Sequence, residues 1–178
     1  MVFGEREITG QLRRALKTAQ ASGDASGTLT SVINAALHTS RRVSAETRLQ
    51  ESGRSVVSVG LDMTEITDWE NQRVLLVGTG SYAGAVVAAL RQRGAGTIFV
   101  HSSSGRATGF AERHAITPAL DLDSALGRAT LVVTCRGSAT PVVTTANLKD
   151  ATPTVLLDLS LQPDVDPAVA SLPGITLL

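Results

Sequence analysis

The stretch RVLLVGTGSYAGAVVAAL, residues 73–90, constrains the fold more than any other part of the chain. An apolar run, a glycine-rich turn and a second apolar run of helical length follow one another, the order of a buried strand, a tight turn and a helix packed back onto it. The turn, Gly78-Thr79-Gly80-Ser81-Tyr82-Ala83-Gly84, satisfies G-x-G-x-x-[GA] with Gly78, Gly80 and either Ala83 or, one place late, Gly84. Gly78 permits the tight turn, Gly80 lets backbone N–H groups approach a pyrophosphate, and a small residue at 83 or 84 brings the helix close to the strand. The helix start adds N–H donors and partial positive charge. A glycine pattern alone is a weak sign; between a strand and a helix it predicts a dinucleotide site. Tyr82 is bulky enough to crowd the pyrophosphate.

Beyond this unit, the strand-like runs TIFVH, ATLVVTC and TPTVLLDLS alternate with the helical stretches GRATGFAERH and DLDSALG. Near-continuous apolar strands separated by helices predict a parallel sheet covered on both faces. The expected fold is therefore α/β, a Rossmann-like domain over residues 69–178 preceded by a helical segment over 1–68. In that segment Ile8, Leu12, Leu16 and Ala19 recur at steps of three and four, one face of an amphipathic helix, with Arg13, Arg14 and Lys17 on the other. ASGDASG (residues 21–27) breaks the pattern. A second helix follows, with Leu29, Val32, Ile33, Ala36 and Leu37 inward and Arg41 and Arg42 in its last turn, where the helix dipole favours them. RVSAETRLQESGRS reads as irregular and VVSVGLDMTEI as a short helix.

The second strand ends where an acid would hydrogen-bond the ribose 2′-hydroxyl of NAD. No acid is present there: His101 is followed by Ser102, Ser103, Ser104, Gly105 and Arg106. Hydroxyls with an arginine suit a phosphate, so the expected cofactor is NADPH; the plainer alternative is that the serines cap the next helix. The fourth strand runs into TCRGS, and loops at the carboxyl ends of strands line the ligand crevice, which places Thr134, Arg136 and Gly137 beside the nicotinamide half. Cys135 has no general base nearby in sequence and reads as a small buried filler.

Sixteen basic and sixteen acidic residues leave no net charge, which removes any overall pull toward nucleic acid or an anionic membrane. Apolar runs fall far short of the roughly 20 residues needed to span a bilayer. The charged start MVFGEREITGQLRR has no signal-peptide core, so a soluble, cytoplasmic protein is expected. A single cysteine excludes an intrachain disulfide, and His38, His101 and His114 lack ligand spacing, so no metal is expected.

The segments VFGEREITGQLRRAL, ALHTSRRVSAET, SVVSVGLDM and RVLLVGTGSYAG resemble, in order and spacing, glutamyl-tRNA reductase. GExxITGQ and RRVxxET are more specific than the glycine loop, and the ending VLLDLSLQPDVDPAVASLPGITLL is similar to the close of that family's nucleotide domain. The resemblance implies NADPH-dependent reduction of glutamyl-tRNA to glutamate-1-semialdehyde, at the entry to tetrapyrrole synthesis. It implies substrate contacts for Glu5 and Gln11, and a structural use for Arg41, Arg42, Glu46 and Thr47. It also implies glutamyl-tRNA as partner, a homodimer through a C-terminal helical domain, and glutamate-1-semialdehyde aminomutase as a further partner.

The family's nucleophilic cysteine lies in a Ser-Thr-Cys-Asn-Arg stretch upstream of GExxITGQ, and these 178 residues do not contain it. The chain is thus expected to be the end of the catalytic domain plus the nucleotide domain, inactive alone. Three departures from the family pattern stand out: His101-Ser102-Ser103 for Asn-Arg-Thr, Gln162-Pro163 for Pro-Arg, and Ser81-Tyr82 in the glycine loop. Two other readings are a shikimate-dehydrogenase-like reductase, whose Lys/Asp pair is not found, and a non-catalytic NADP-binding or protein-interaction module.

Overall fold

The apolar runs become the strands of one sheet in a computed structural model, which describes residues 6–46, 55–138, 140–148 and 154–178. The strands are β1 (Arg73–Val77), β2 (Thr97–His101), β3 (Thr117–Pro118), β4 (Leu131–Thr134), β5 (Thr154–Asp158) and β6 (Ile175–Leu177). They lie in the order β3-β2-β1-β4-β5-β6, every neighbouring pair parallel. Chain progression reverses at β1, so a crevice opens between the carboxyl ends of β1 and β4.

Side chains alternate across each strand, and both faces are covered. Val74 and Leu76 of β1 point to one side, with Val57, Val86, Leu90, Phe110 and Leu157. Leu75 and Val77 point to the other, with Ala125, Leu126, Val132, Leu156 and Val169. Double coverage explains why the strands read as unbroken apolar runs. The helices of this unit are α3 (Val56–Met63), α4 (Ser81–Gln92), α5 (Ala107–His114) and α6 (Leu122–Leu126), with a short 3₁₀ helix at Pro167–Ser171.

The chain divides after Val56 into two compact units, twelve residues before the expected boundary at 68/69. The reason lies in α3, whose Val57 and Leu61 are buried in the sheet's core. Arg93, at the end of α4, holds it there by donating to the Ser58 carbonyl (3.1 Å) and to Asp62 Oδ1 (2.7 Å).

The first unit holds α1 (Arg6–Ser22) and α2 (Gly27–Glu46) as an antiparallel pair, with Thr9 Oγ1 3.5 Å from Ser40 Oγ. Ser26 caps α2, its hydroxyl accepting from Leu29 N–H (3.2 Å). The expected faces are only partly covered: Leu16 and Leu37 are buried, whereas Leu12, Leu29 and Val32 are exposed. Residues 42–46, expected to be irregular, continue α2, so Arg41 and Arg42 are not in its last turn. An Arg42–Glu46 pair one turn apart (3.3 Å) supports the extension. No described helix is long and apolar enough to cross a membrane.

Candidate functional site

Register places Val77 opposite His101 on one side and Thr134 on the other, and Thr134 opposite Asp158. The loops after β1, β2, β4 and β5 therefore leave from one edge of the sheet. At its centre Gly78 has φ 122°, and a Cβ there would meet Arg136 N and Cys135 Sγ at 3.2 Å. Only glycine meets both conditions without strain. Its N–H donates to the His101 carbonyl (2.9 Å). Gly80 is exposed with open space where a Cβ would stand, and α4 begins at the next residue with no side-chain cap. Backbone can thus be approached here by a pyrophosphate.

Ala83 is fully buried against the core and fills the third small position, whereas a Cβ on Gly84 would face His114 of α5 at 3.5 Å. The two candidates for one role are divided between two contacts. Tyr82 is half-buried and packs against the same core cluster. Of Ser81, only its place at the start of α4 is described.

Beyond β2 the hydroxyls connect in series. Thr79 Oγ1 lies 3.3 Å from Ser102 Oγ, Ser102 Oγ lies 2.9 Å from Ser104 Oγ, and Arg106 Nε donates to Ser104 Oγ at 2.8 Å. Gly105, at φ 73°, folds the loop so that its N–H meets the Ser102 carbonyl (3.2 Å). Ser103, Ser104 and Arg106 are exposed. Arg106 itself occupies the N-cap position of α5 and supplies no side-chain cap hydrogen bond, while the hydroxyls of Ser102 and Ser104 bond within this series. His101 closes the strand, its Nδ1–H donating to the Ala119 carbonyl (3.0 Å).

Beyond β4 the arrangement is different. Thr134 is fully buried and donates to Asp158 Oδ1 (2.8 Å). The loop that follows turns its N–H groups onto one buried carboxylate: Arg136 N–H (2.6 Å) and Gly137 N–H (2.9 Å) meet Asp164 Oδ2, and Ser138 N–H meets Oδ1 (3.3 Å). The Arg136 guanidinium also pairs with Asp164 (3.4 Å) and donates to the Thr140 carbonyl (2.6 Å). Asp164 N–H in turn donates to Asp158 Oδ2 (2.7 Å), as does Val165 N–H (3.1 Å). Thr134 and Arg136, expected at the cofactor, thus have their side chains engaged within the protein. Gly137 is exposed at φ 63°.

Cys135 is half-buried beside Gly78, packed on the core, with its N–H on the Val77 carbonyl (3.0 Å). Gln162 and Pro163 are exposed. Gln11 lies exposed on α1, and Glu5 falls outside the described residues. Sequence reasoning missed Asp158 and Asp164; the available signal was an acid ending the apolar run TVLLD and another in PDVDP.

Strand order and the glycine turn define a Rossmann-like domain of the dinucleotide-binding class. Residues 61–178 match the family model described as Shikimate / quinate 5-dehydrogenase, and residues 1–47 match Glutamyl-tRNAGlu reductase, N-terminal domain. Over its length the chain is 48% identical to glutamyl-tRNA reductase of Cutibacterium acnes, covering 95% of this chain and 40% of the relative. It is also 48% identical to glutamyl-tRNA reductase of Kocuria rhizophila, covering 99% and 41%. The chain belongs to the glutamyl-tRNA reductase family and spans about two fifths of the length of these curated relatives. The fold is shared with glutamyl-tRNA reductase from Methanopyrus kandleri, at TM-score 0.61 and 24% identity over 98% of this chain and 47% of that one. It is also shared with the nucleotide binding domain of glutamyl-tRNA reductase from Thermoplasma volcanium, at TM-score 0.51 and 18% identity over 70% and 87%.

Proposed function

We propose that this chain is the NADPH-binding part of a glutamyl-tRNA reductase, in which the whole protein reduces glutamyl-tRNA to glutamate-1-semialdehyde for tetrapyrrole synthesis. The observation that carries the cofactor reading is the Thr79–Ser102–Ser104–Arg106 series beside the glycine turn. Three hydroxyls and a guanidinium, with no carboxylate among them, match a ribose 2′-phosphate better than a free 2′-hydroxyl. Gly78, Gly80 and Ala83 leave room for the pyrophosphate at the start of α4, and the loop 135–138 borders the nicotinamide half. When bound, the cofactor supplies the hydride.

The nucleophilic Ser-Thr-Cys-Asn-Arg stretch is not among these residues, and Cys135 is packed on the core, so this chain binds the nucleotide without turning over substrate. Glu5 and Gln11 contribute to the substrate side, residues 1–56 carrying the end of the catalytic domain. Glutamyl-tRNA, a second copy through a helical domain, and the aminomutase that takes the semialdehyde are the partners of the whole cytoplasmic enzyme. The match of residues 1–47 favours this reading over a shikimate-dehydrogenase-like reductase.

Parallel calorimetric titration with NADPH and NADH tests the proposal. Tighter binding of NADPH is expected, with no reduction of an aminoacyl ester. Equal affinity for both nucleotides overturns the 2′-phosphate assignment, and binding of neither favours a non-catalytic module.

A further inference from the structure

Asp164 is fully buried, yet it lies between two loops of the site rather than within the apolar core. Its two oxygens take the N–H groups of Arg136, Gly137 and Ser138 together with the Arg136 guanidinium. Its own N–H is fixed by Asp158, and Asp158 is fixed by Thr134 at the end of β4 and by the Ser160 hydroxyl. The result is a closed circuit from β4 through the loop 135–138 to the segment after β5 and back. Three successive N–H groups converging on one carboxylate give that loop a single conformation, because each departure leaves a buried charge with one donor fewer.

We infer that Asp164 is a positioning residue for the nicotinamide half of the cofactor: it holds the loop 135–138 in the shape the ring requires, without touching the cofactor itself. The inference rests on the cofactor reading given above. It makes a prediction that a purely structural role does not, because the two halves of the nucleotide meet different loops. The adenosine half and its 2′-phosphate fall to Thr79, Ser102, Ser104 and Arg106, none of which bonds to Asp164.

The test is Asp164→Asn in the 178-residue chain, which keeps shape and one acceptor and so guards against loss of the fold. NADPH and 2′,5′-ADP, which lacks the nicotinamide half, are titrated in parallel. Amide exchange at 136–138 and thermal unfolding are followed alongside. NADPH affinity is expected to fall about tenfold, with affinity for 2′,5′-ADP held within about twofold, and the three amides should exchange faster. The conservative Asp164→Glu, which restores the charge, should recover part of the lost NADPH affinity. Equal weakening of both ligands makes Asp164 a general stabiliser and overturns the inference, as does unchanged binding of NADPH despite faster exchange. Binding of 2′,5′-ADP with no gain from the nicotinamide half in the unaltered chain removes the inference alone; failure to bind either ligand removes the cofactor reading with it.

Discussion

Beyond β2, Ser102, Ser104 and Arg106 form a corner spanning five residues of sequence, with Ser104 and Arg106 open to solvent. Beyond β4, at the same sheet edge, the loop 135–138 is held by a fully buried carboxylate 28 positions away from Arg136. The first corner is held by bonds among its own neighbouring side chains at the surface. The second is part of the fold, and its donors are already engaged. The proposed nucleotide site would thus combine a surface part with a part preorganised by the chain itself.

Removing the buried carboxylate should produce the largest effect. Asp164→Ala leaves three backbone donors and a guanidinium without their acceptor, and breaking a buried charged network of this kind costs about 3–5 kcal/mol. Urea unfolding of the 178-residue chain measures it. A loss below about 1 kcal/mol, the range of an exposed pair, would erase the contrast between the two corners.

Gly78 touches both corners, since its N–H meets His101 at the end of β2 and its Cα faces Cys135 and Arg136. Gly78→Ala puts a methyl group 3.2 Å from Arg136 N at a positive φ and should cost about 1–3 kcal/mol of stability. Weaker NADPH binding should accompany that loss. Wild-type affinity in the variant would mean that the turn does not shape the pyrophosphate site.

The same contrast explains what sequence made legible. The strands 73–77, 97–101, 131–134 and 154–158 are buried on both faces and stand out as apolar runs. By contrast β3 and β6, of two and three residues, carry too little pattern to be seen, and one of the two residues of β3 is a proline. The boundary at Val56 escaped notice because only packing shows that VVSVGLDM belongs to the sheet. In the candidate site, the grouping of the serines with Arg106 is legible because they are neighbours in sequence and lack apolar company. The Asp164 circuit is not, because it is assembled from the ends of β4 and β5 and the two loops that follow them, and local pattern says nothing about which acid meets which N–H group. Thr134 and Arg136 stand at the carboxyl edge of the sheet, but the carboxylates that take their side chains, Asp158 and Asp164, lie 24 and 28 residues further on.

Arg106→Ala acts on the open corner alone. It should leave stability within about 0.5 kcal/mol, as surface substitutions do, because Arg106 is exposed and its Nε bonds only a nearby serine. NADPH affinity should drop about tenfold through loss of a charge-assisted phosphate contact, with NADH affinity unchanged. Parallel loss of both nucleotides would place Arg106 outside the 2′-phosphate contact and leave the serines as its whole basis.

The smallest expected effect separates two ways in which Ser104 can serve the same phosphate. Its hydroxyl sits between Ser102 Oγ at 2.9 Å and the donating Nε of Arg106 at 2.8 Å, so it is placed to hold the guanidinium as well as to meet the ligand. Ser104→Ala should weaken NADPH about threefold, the scale of one neutral hydrogen bond. A double-mutant cycle with Arg106→Ala assigns the cause. If Ser104 acts by holding Arg106, its effect disappears once the arginine is gone, and the coupling equals the single-mutant loss. If it contacts the phosphate directly, the threefold loss persists in the Arg106→Ala background. The Nε–Oγ bond favours the first result, which would make even the open corner partly preorganised and narrow its difference from the corner built on Asp164.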